Sequence, residues 1–182
     1  MKKLGLLFLI LSSLLYAEAT IYFGAGYEYN NEIVSYDSME ETVNNNALKI
    51  KAGYGDRDAY AIEFAVNYVD NRSSIFDTND GKKYGFDITL LKAWNLGFVF
   101  NPYLKAGFGA GYLETPADLH NGSLTYGSFN LGAGCFIPVD KHTDIELAYE
   151  YKNVSYQKLD LNSTLTPSSH LNTLYIGVNF RF

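Results

Sequence analysis

The stretch "LYIGVNFRF", Leu174 to Phe182, decides how the whole chain is interpreted. Every second residue in it is apolar, with Ile176, Val178 and Phe180 between the two ends. Alternation with a period of two indicates a β-strand that has one apolar face. Chain ends are usually polar and frayed, so an apolar strand that finishes on an aromatic residue predicts a terminus built into a sheet.

The first residues predict export. Two lysines precede the apolar segment "LGLLFLILSSLLYA", and small residues follow it at the sequence "AEA", positions 17–19. This pattern is typical of a cleaved secretory signal peptide, so we expect residues 1–19 to be removed and residues 20–182 to form one domain. No other stretch approaches the roughly 18 apolar residues of a spanning helix, so a membrane location would have to be reached without helices.

The composition favours a sheet and excludes several alternatives. The chain has 16 Tyr, 12 Phe and 16 Gly and a net charge of −6. The acidic balance argues against a nucleic-acid partner, and the aromatic residues favour strands. Cys135 is the only cysteine, so the chain cannot form an internal disulfide.

The same alternation recurs along the chain and predicts about eight strands. Three of the predicted connections are short, whereas four are long and polar, and the two kinds alternate. Long loops at one end and tight turns at the other are typical of outer-membrane barrels, so we predict an all-β, eight-stranded antiparallel transmembrane up-and-down β-barrel. The predicted strands are 20–30, 48–54, 60–68, 85–90, 103–112, 128–137, 144–151 and 174–182, and the long loops are 30–46, 70–83, 113–124 and 153–169.

Two features predict that the apolar face points outward, whereas a soluble barrel would turn it inward. Glycines crowd the polar face, and glycine weakens an exposed strand but suits a narrow lumen. Aromatic residues lie near the strand ends of the apolar face, as a bilayer interface favours. This predicted aromatic girdle comprises Phe23, Tyr27, Tyr29, Tyr54, Tyr60, Tyr68, Trp94, Tyr112, Tyr149 and Tyr151. Lys92 is the exception on this face, and we expect it near the rim that carries the short turns.

The polar face would then place charged side chains inside the barrel. Buried charges are tolerated when they are paired, so we expect salt-bridge networks across the lumen. Two interpretations stay open: cross-lumen contacts such as Lys105 with Glu146 favour a plug, and a continuous wet path from Glu28 to Arg181 favours an ion channel. The predicted lumen charges are Glu28, Lys49, Lys51, Glu63, Asp87, Lys105, Asp144, Glu146, Glu150 and Arg181.

Catalytic and metal-binding patterns are absent from the sequence. The three histidines, His120, His142 and His170, fall in predicted loops and turns, and neither a His-x-Ser pair nor a GxSxG motif occurs. The loop acids lack the spacing of a calcium loop. We therefore expect no enzyme, no cofactor and no metal.

The final strand carries the feature that connects this chain to a known class. Gly177, Phe180 and Phe182 match a Gly-x-x-aromatic-x-aromatic pattern, and in this respect the chain resembles bacterial outer-membrane β-barrels, whose last strand is the recognition signal for the barrel assembly machinery. In length and pattern it resembles the small eight-stranded families typified by the outer-membrane protein A transmembrane domain and OmpX. The resemblance does not extend to the peptidoglycan-binding domain of the former, so we do not expect a cell-wall tether.

The resemblance implies a location and several roles. It implies a monomer in the cell outer membrane, in contact with lipid and lipopolysaccharide. The first implied function is a structural or surface-interaction role through four extracellular loops, with a possible extracellular ligand, above a lumen plugged by charged side chains. The alternatives are a small porin-like channel and, third, a lipid A-modifying enzyme.

Overall fold

The computed structural model describes residues 19–36, 39–70, 81–115, 122–160, 164–165 and 167–182. The strands are β1 Thr20–Tyr36, β2 Met39–Gly55, β3 Tyr60–Val69, β4 Lys83–Ala93, β5 Asn101–Glu114, β6 Ser123–Pro138, β7 Thr143–Tyr156, β8 Leu159–Asp160, β9 Thr164–Leu165 and β10 Ser168–Arg181. The eight long strands close into one barrel in the order β1-β10-β7-β6-β5-β4-β3-β2, and every neighbouring pair is antiparallel, which confirms the predicted fold class. The two short strands, β8 and β9, form a separate two-stranded antiparallel sheet.

The last strand closes the barrel against the first. Tyr22 is paired with Arg181, Phe23 with Phe180, and the pairing continues to Ser35 and Ser168. The Phe182 N–H also donates a hydrogen bond to the Ile21 carbonyl at 3.0 Å. The apolar C-terminal strand is therefore an integral part of the sheet. Within the described ranges, no helix is long and apolar enough to cross a membrane.

The barrel has two different ends. The start of β1, the end of β10 and the turns at 56–59, 94–100 and 139–142 lie together at what we call the terminal end. The other connections lie at the opposite end, which we call the loop end. Residues 71–80 and 116–121 belong to these connections and lie outside the described residues, as does the predicted signal peptide except for Ala19.

The prediction of a long loop at 30–46 was wrong. β1 and β2 each span 17 residues and stay paired up to Tyr36 and Met39. The predicted loop at 153–169 was also too long, because β7 reaches Tyr156 and β10 begins at Ser168. Apart from Ile33, the outward residues in these extensions are polar, so the alternation of apolar and polar residues that identified the strands disappears there although the backbone pairing continues.

The two faces of the wall differ as a membrane barrel requires. Outward residues are large, apolar and exposed; Ile50, for example, is 67% exposed and Phe108 69%. Inward residues are buried, and many of them are polar or charged. The outward face becomes polar toward the loop end, where the Asn31 side chain donates to Asn44 at 2.9 Å and the Tyr149 hydroxyl donates to Asn172 at 2.6 Å.

Candidate functional site: the charged lumen

Two clusters of buried apolar side chains lie in the lumen. At the loop end, Leu113, Leu124, Val154 and Leu171 pack with Tyr156 in a cluster that is 0–7% exposed; we call it the loop-end cap. A second apolar cluster lies toward the terminal end, and its largest members are inward-facing aromatic residues. These are Tyr22, Tyr103, Phe136 and Tyr175. The charged side chains lie beside and between these two clusters, and Lys51 lies over the rings of Tyr22, Phe136 and Tyr175.

Lys51 is the centre of the most enclosed group of charges. Its ammonium bonds Glu63 at 2.7 Å and also Glu146, which stands three strands away around the barrel. The two carboxylates accept further hydrogen bonds from the Tyr22 hydroxyl at 2.7 Å and the Tyr103 hydroxyl at 2.6 Å, respectively. Because the side chains of Lys51 and Glu146 are 1% and 0% exposed, each charge depends on the others for its solvation.

A second group occupies the middle of the lumen. Lys49 bonds Glu28 at 2.5 Å and lies 3.7 Å from Glu150, whose other oxygen accepts a bond from Lys105 at 2.7 Å. Among the described residues Lys105 pairs with Glu150 and not with Glu146, the partner named above as favouring a plug. The Lys105 side chain passes over Gly132, where an added Cβ would lie 3.0 Å from its Cε, and reaches Glu150 instead.

Sequence reasoning missed one ion pair next to this group. Lys152 bonds Asp87 at 2.7 Å across the lumen, and Asp87 also accepts a hydrogen bond from Asn67. Lys152 follows Glu150 by two residues, so the alternation could have identified it as inward-facing. A cavity of about 30 Å³ lies between this pair and the loop-end cap. That volume holds roughly two water molecules at most.

Glu32 forms a further group near the loop-end cap. It accepts bonds from Lys83 at 2.7 Å, Ser169 at 2.6 Å and Tyr156 at 3.3 Å. Because the outward pair beside it, Asn31 and Asn44, is polar, it lies beyond the apolar band of the wall. Burial alone would raise the pKa of Glu32, but the Lys83 charge and the hydrogen bonds lower it below its ordinary value. Residues 30–46 were interpreted as a loop, which is why Glu32 was missed.

Asp144 joins two arginines at the terminal end. Arg181 and Arg57 both donate to this carboxylate, the latter at 3.1 Å, and the Arg181 guanidinium lies 4.5 Å from the Tyr22 ring centre. Arg57 belongs to a turn, and no pattern in the sequence marks it as part of the network.

Together the salt bridges of the described residues use seven acids and seven bases, so the lumen charges balance. The acids are Glu28, Glu32, Glu63, Asp87, Asp144, Glu146 and Glu150, and the bases are Lys49, Lys51, Arg57, Lys83, Lys105, Lys152 and Arg181.

The predicted girdle residues all lie on the outward face of the wall. Phe23, Tyr54, Tyr60 and Trp94 are near the terminal end, and the remaining tyrosines are nearer the loop end. One residue was missed: Tyr84 lies between Tyr68 and Tyr112, with ring centres 5.4 and 5.0 Å away. Of the predicted assembly signal, Phe180 and Phe182 point outward and Gly177 points into the lumen.

The histidines are dispersed. His120 lies outside the described residues, and His142 stands in a terminal-end turn with its Nδ1 3.0 Å from the Arg181 carbonyl oxygen. His170 lies in β10 and not in a loop, because β10 begins earlier than predicted; its Nδ1 is 2.8 Å from the Tyr151 hydroxyl. Among the described residues, no group of three or more His, Cys, Asp or Glu side chains could hold a metal ion.

Three solved structures share this architecture and are distant in sequence. The chain is similar to Neisserial surface protein A, with 17% identity, a TM-score of 0.66, and coverage of 90% of this chain and 99% of that one. It is similar to Ail, the attachment invasion locus protein of Yersinia pestis, in complex with the heparin analogue sucrose octasulfate, with 18% identity, a TM-score of 0.57 and coverage of 91% and 99%. The N-terminal β-barrel domain of Pseudomonas aeruginosa OprF matches with 12% identity, a TM-score of 0.51 and coverage of 87% and 97%.

These likenesses define the class of the fold. The chain has the architecture of the small eight-stranded outer-membrane β-barrels, as its final strand suggested. No protein-family model and no curated protein matches the sequence.

Proposed function

We propose that this protein is an integral outer-membrane barrel whose lumen is closed to ions and whose role is structural or surface-interacting through its loop end. The observation that carries the proposal is the filling of the lumen. Two apolar clusters fill part of the lumen, and ion pairs between distant strands cross it. A hydrated ion would have to break several buried pairs to pass, which costs several kcal/mol for each pair.

Two features of the wall support the placement of the barrel in the membrane. The outward face is apolar between two sets of aromatic residues, and an open sheet edge in hydrocarbon is avoided by closure with β10. In this placement the terminal end faces the periplasm, because termini and short turns lie there. Residues 1–19 would direct export, Gly177, Phe180 and Phe182 would be read by the barrel assembly machinery, and the monomer would contact lipid and lipopolysaccharide.

Single-channel recording tests the closed lumen. Refolded wild-type protein in planar bilayers is expected to give no discrete current steps, and a Lys105→Ala, Glu150→Ala variant is expected to conduct more than wild type because it removes a pair that blocks the lumen. The matched control, Lys158→Ala with Glu41→Ala, also removes one charge of each sign, but from exposed positions, and is expected to stay silent. Steady steps from the wild type that respond to the lumen variant would instead establish a channel.

A surface role is supported by a sheet that extends from the loop end. β1 and β2 pair up to Tyr36 and Met39, whereas β2 pairs with β3 only as far as Ala47 and Val69. Within the described ranges, residues 40–46 therefore pair on one side only. An open strand edge can accept an extended segment of another chain. We propose this edge as the main contact surface of the loop end.

The charge of the loop end indicates which partners it would reject. Segments 35–44, 70–82, 114–123 and 157–167 contain nine acidic residues and three basic residues. Ail was solved with a heparin analogue, which is a polyanion, but an acidic surface repels polyanions. We expect no binding of heparin to the protein in nanodiscs at physiological salt, measured by biolayer interferometry. Heparin binding that disappears at high salt would contradict this charge argument.

A further inference from the structure

Within the described part of the chain, Lys92 is a cation without a counter-ion on the outer wall. It is half-buried on the outward face of β4, and the other outward-facing residues of the described strands between the two aromatic rims are uncharged. Its ammonium lies 4.3 Å from the Tyr60 ring centre and 5.9 Å from the Trp94 ring centre, and no salt bridge to it occurs within the described part of the chain. The two rings favour a cation at this point but offer no hydrogen-bond acceptor comparable to an anion.

An apolar groove of about 600 Å³ starts at Lys92 and runs along the wall. Two rows of paired residues form it: Lys92, Leu104 and Ala133 lie side by side in one row, and Leu90, Ala106 and Leu131 in the next. The groove exists because the two alanines are much smaller than the leucines around them. Tyr149 and Tyr151 on β7 line its far side.

We propose that this groove binds one phospholipid of the periplasmic leaflet. An acyl chain would lie over Ala106 and Ala133, and the Lys92 ammonium would donate hydrogen bonds to the headgroup phosphate. The proposal depends on the membrane placement proposed above. In that placement Lys92 lies at the periplasmic rim, which is the depth of inner-leaflet phosphates and the wrong leaflet for lipopolysaccharide.

The chemistry of the groove favours a lipid over other occupants. A peptide lying there would leave backbone N–H and C=O groups unpaired in hydrocarbon, and the groove wall offers almost no polar atoms to satisfy them. An acyl chain has no such groups. The single cation at the rim complements the headgroup phosphate. A net negative charge on the headgroup adds an attraction to Lys92 of the size typical for one lysine near a membrane surface, which raises the affinity for an anionic lipid about fivefold.

The only tryptophan of the chain, Trp94, is a built-in probe of this site. The protein is refolded into phosphatidylcholine vesicles that contain a small fraction of phosphatidylglycerol, and the bromine label is placed on the acyl chains of one lipid or the other. Quenching of Trp94 then measures the preference for the anionic lipid. We expect a preference of about fivefold for the anionic lipid in the wild type, a similar preference in Lys92→Arg, and no preference in Lys92→Met. Ala106→Leu should also reduce the preference by filling the groove, and Ala25→Leu on the opposite wall is its control.

The outcomes separate the two proposals. If Lys92→Met keeps the wild-type preference while its fold is intact, as judged by heat-dependent migration on gels, the lipid site is refuted and the membrane placement stands. If no brominated lipid quenches Trp94 in folded protein, the membrane placement itself fails. Quenching that falls as the protein-to-lipid ratio rises would show that a second copy occupies the groove, which would also overturn the proposal.

Discussion

Lys51→Met is the substitution that best tests whether the lumen is dry. The ammonium of Lys51 compensates two carboxylates, Glu63 at 2.7 Å and Glu146, and its side chain is 1% exposed. Methionine has a similar length and no charge, so the substitution removes the cation without opening a large cavity. Two buried carboxylates would then lose their only shared cation.

The expected loss of stability in Lys51→Met follows from the contacts that the two carboxylates keep. Removal of one partner from a buried ion pair costs about 3–5 kcal/mol. Here Glu63 keeps the Tyr22 hydroxyl, and Glu146 keeps the Tyr103 hydroxyl and the Asn179 amide at 2.9 Å. Because these donors still stabilise the carboxylates, we expect the lower end of the range, about 3 kcal/mol.

Urea unfolding of the protein refolded in lipid vesicles measures this loss. Lys141→Met, at an exposed position in a terminal-end turn, is the matched control and should change the unfolding free energy by less than about 0.5 kcal/mol. Addition of Glu63→Gln and Glu146→Gln to Lys51→Met removes the unpaired charges and should restore stability to within about 1 kcal/mol of wild type. A loss below about 1 kcal/mol in Lys51→Met alone would show that water solvates the carboxylates and would refute the argument for a closed lumen.

Three further perturbations test other parts of the structure. Leu131→Arg places a charge on the outward wall and should destabilise the refolded barrel by about 2–4 kcal/mol in a urea titration; a neutral result would mean that this face does not meet lipid. The pKa of Glu32 is lowered on folding, so its contribution to stability is present above its ordinary pKa and is lost as the pH falls through the folded value. The difference in unfolding free energy between wild type and Glu32→Gln should therefore shrink from neutral pH to about pH 3, and a difference independent of pH would contradict the pairing with lysine. Gly26→Val should cost about 1–3 kcal/mol, because an added Cβ would lie 2.6 Å from the Tyr175 Cζ, whereas Ala25→Val on the outward face should be nearly neutral; equal effects would show that the lumen has room at Gly26.

The strands within the apolar band were predictable because one physical requirement governs every second residue there. Ile21, Phe23 and Ala25 point outward, and Tyr22 and Gly24 point inward, as the period of two dictates. Beyond that band the requirement ends, since either face of a strand in water can be polar. For this reason the extension of β1 from Asn31 to Tyr36 was interpreted as a loop, although its backbone remains paired.

The partners of the lumen charges could not be predicted in the same way. Alternation places Lys105, Glu146 and Glu150 on one face, but it contains no information about which acid a long lysine side chain reaches. The choice depends on the stagger of the barrel strands and on the neighbouring side chains. Glu146 accepts bonds from Lys51, Tyr103 and Asn179. The Lys105 side chain passes over Gly132 and reaches Glu150 instead. The loop-end cap escaped prediction too, because Leu113, Leu124 and Leu171 meet only when three strands are brought around the barrel.

The sequence by itself determined the number of membrane-facing strands, the face that each residue takes and the closure through Leu174–Phe182. These properties follow from local periodicity, which any strand of this pattern must obey. Tertiary structure alone decided which charges pair, where the lumen is filled, and that Lys92 lies at the mouth of an apolar groove. Those properties depend on the shear of the closed sheet, which sets residues far apart in the chain at the same height on strands that are not neighbours.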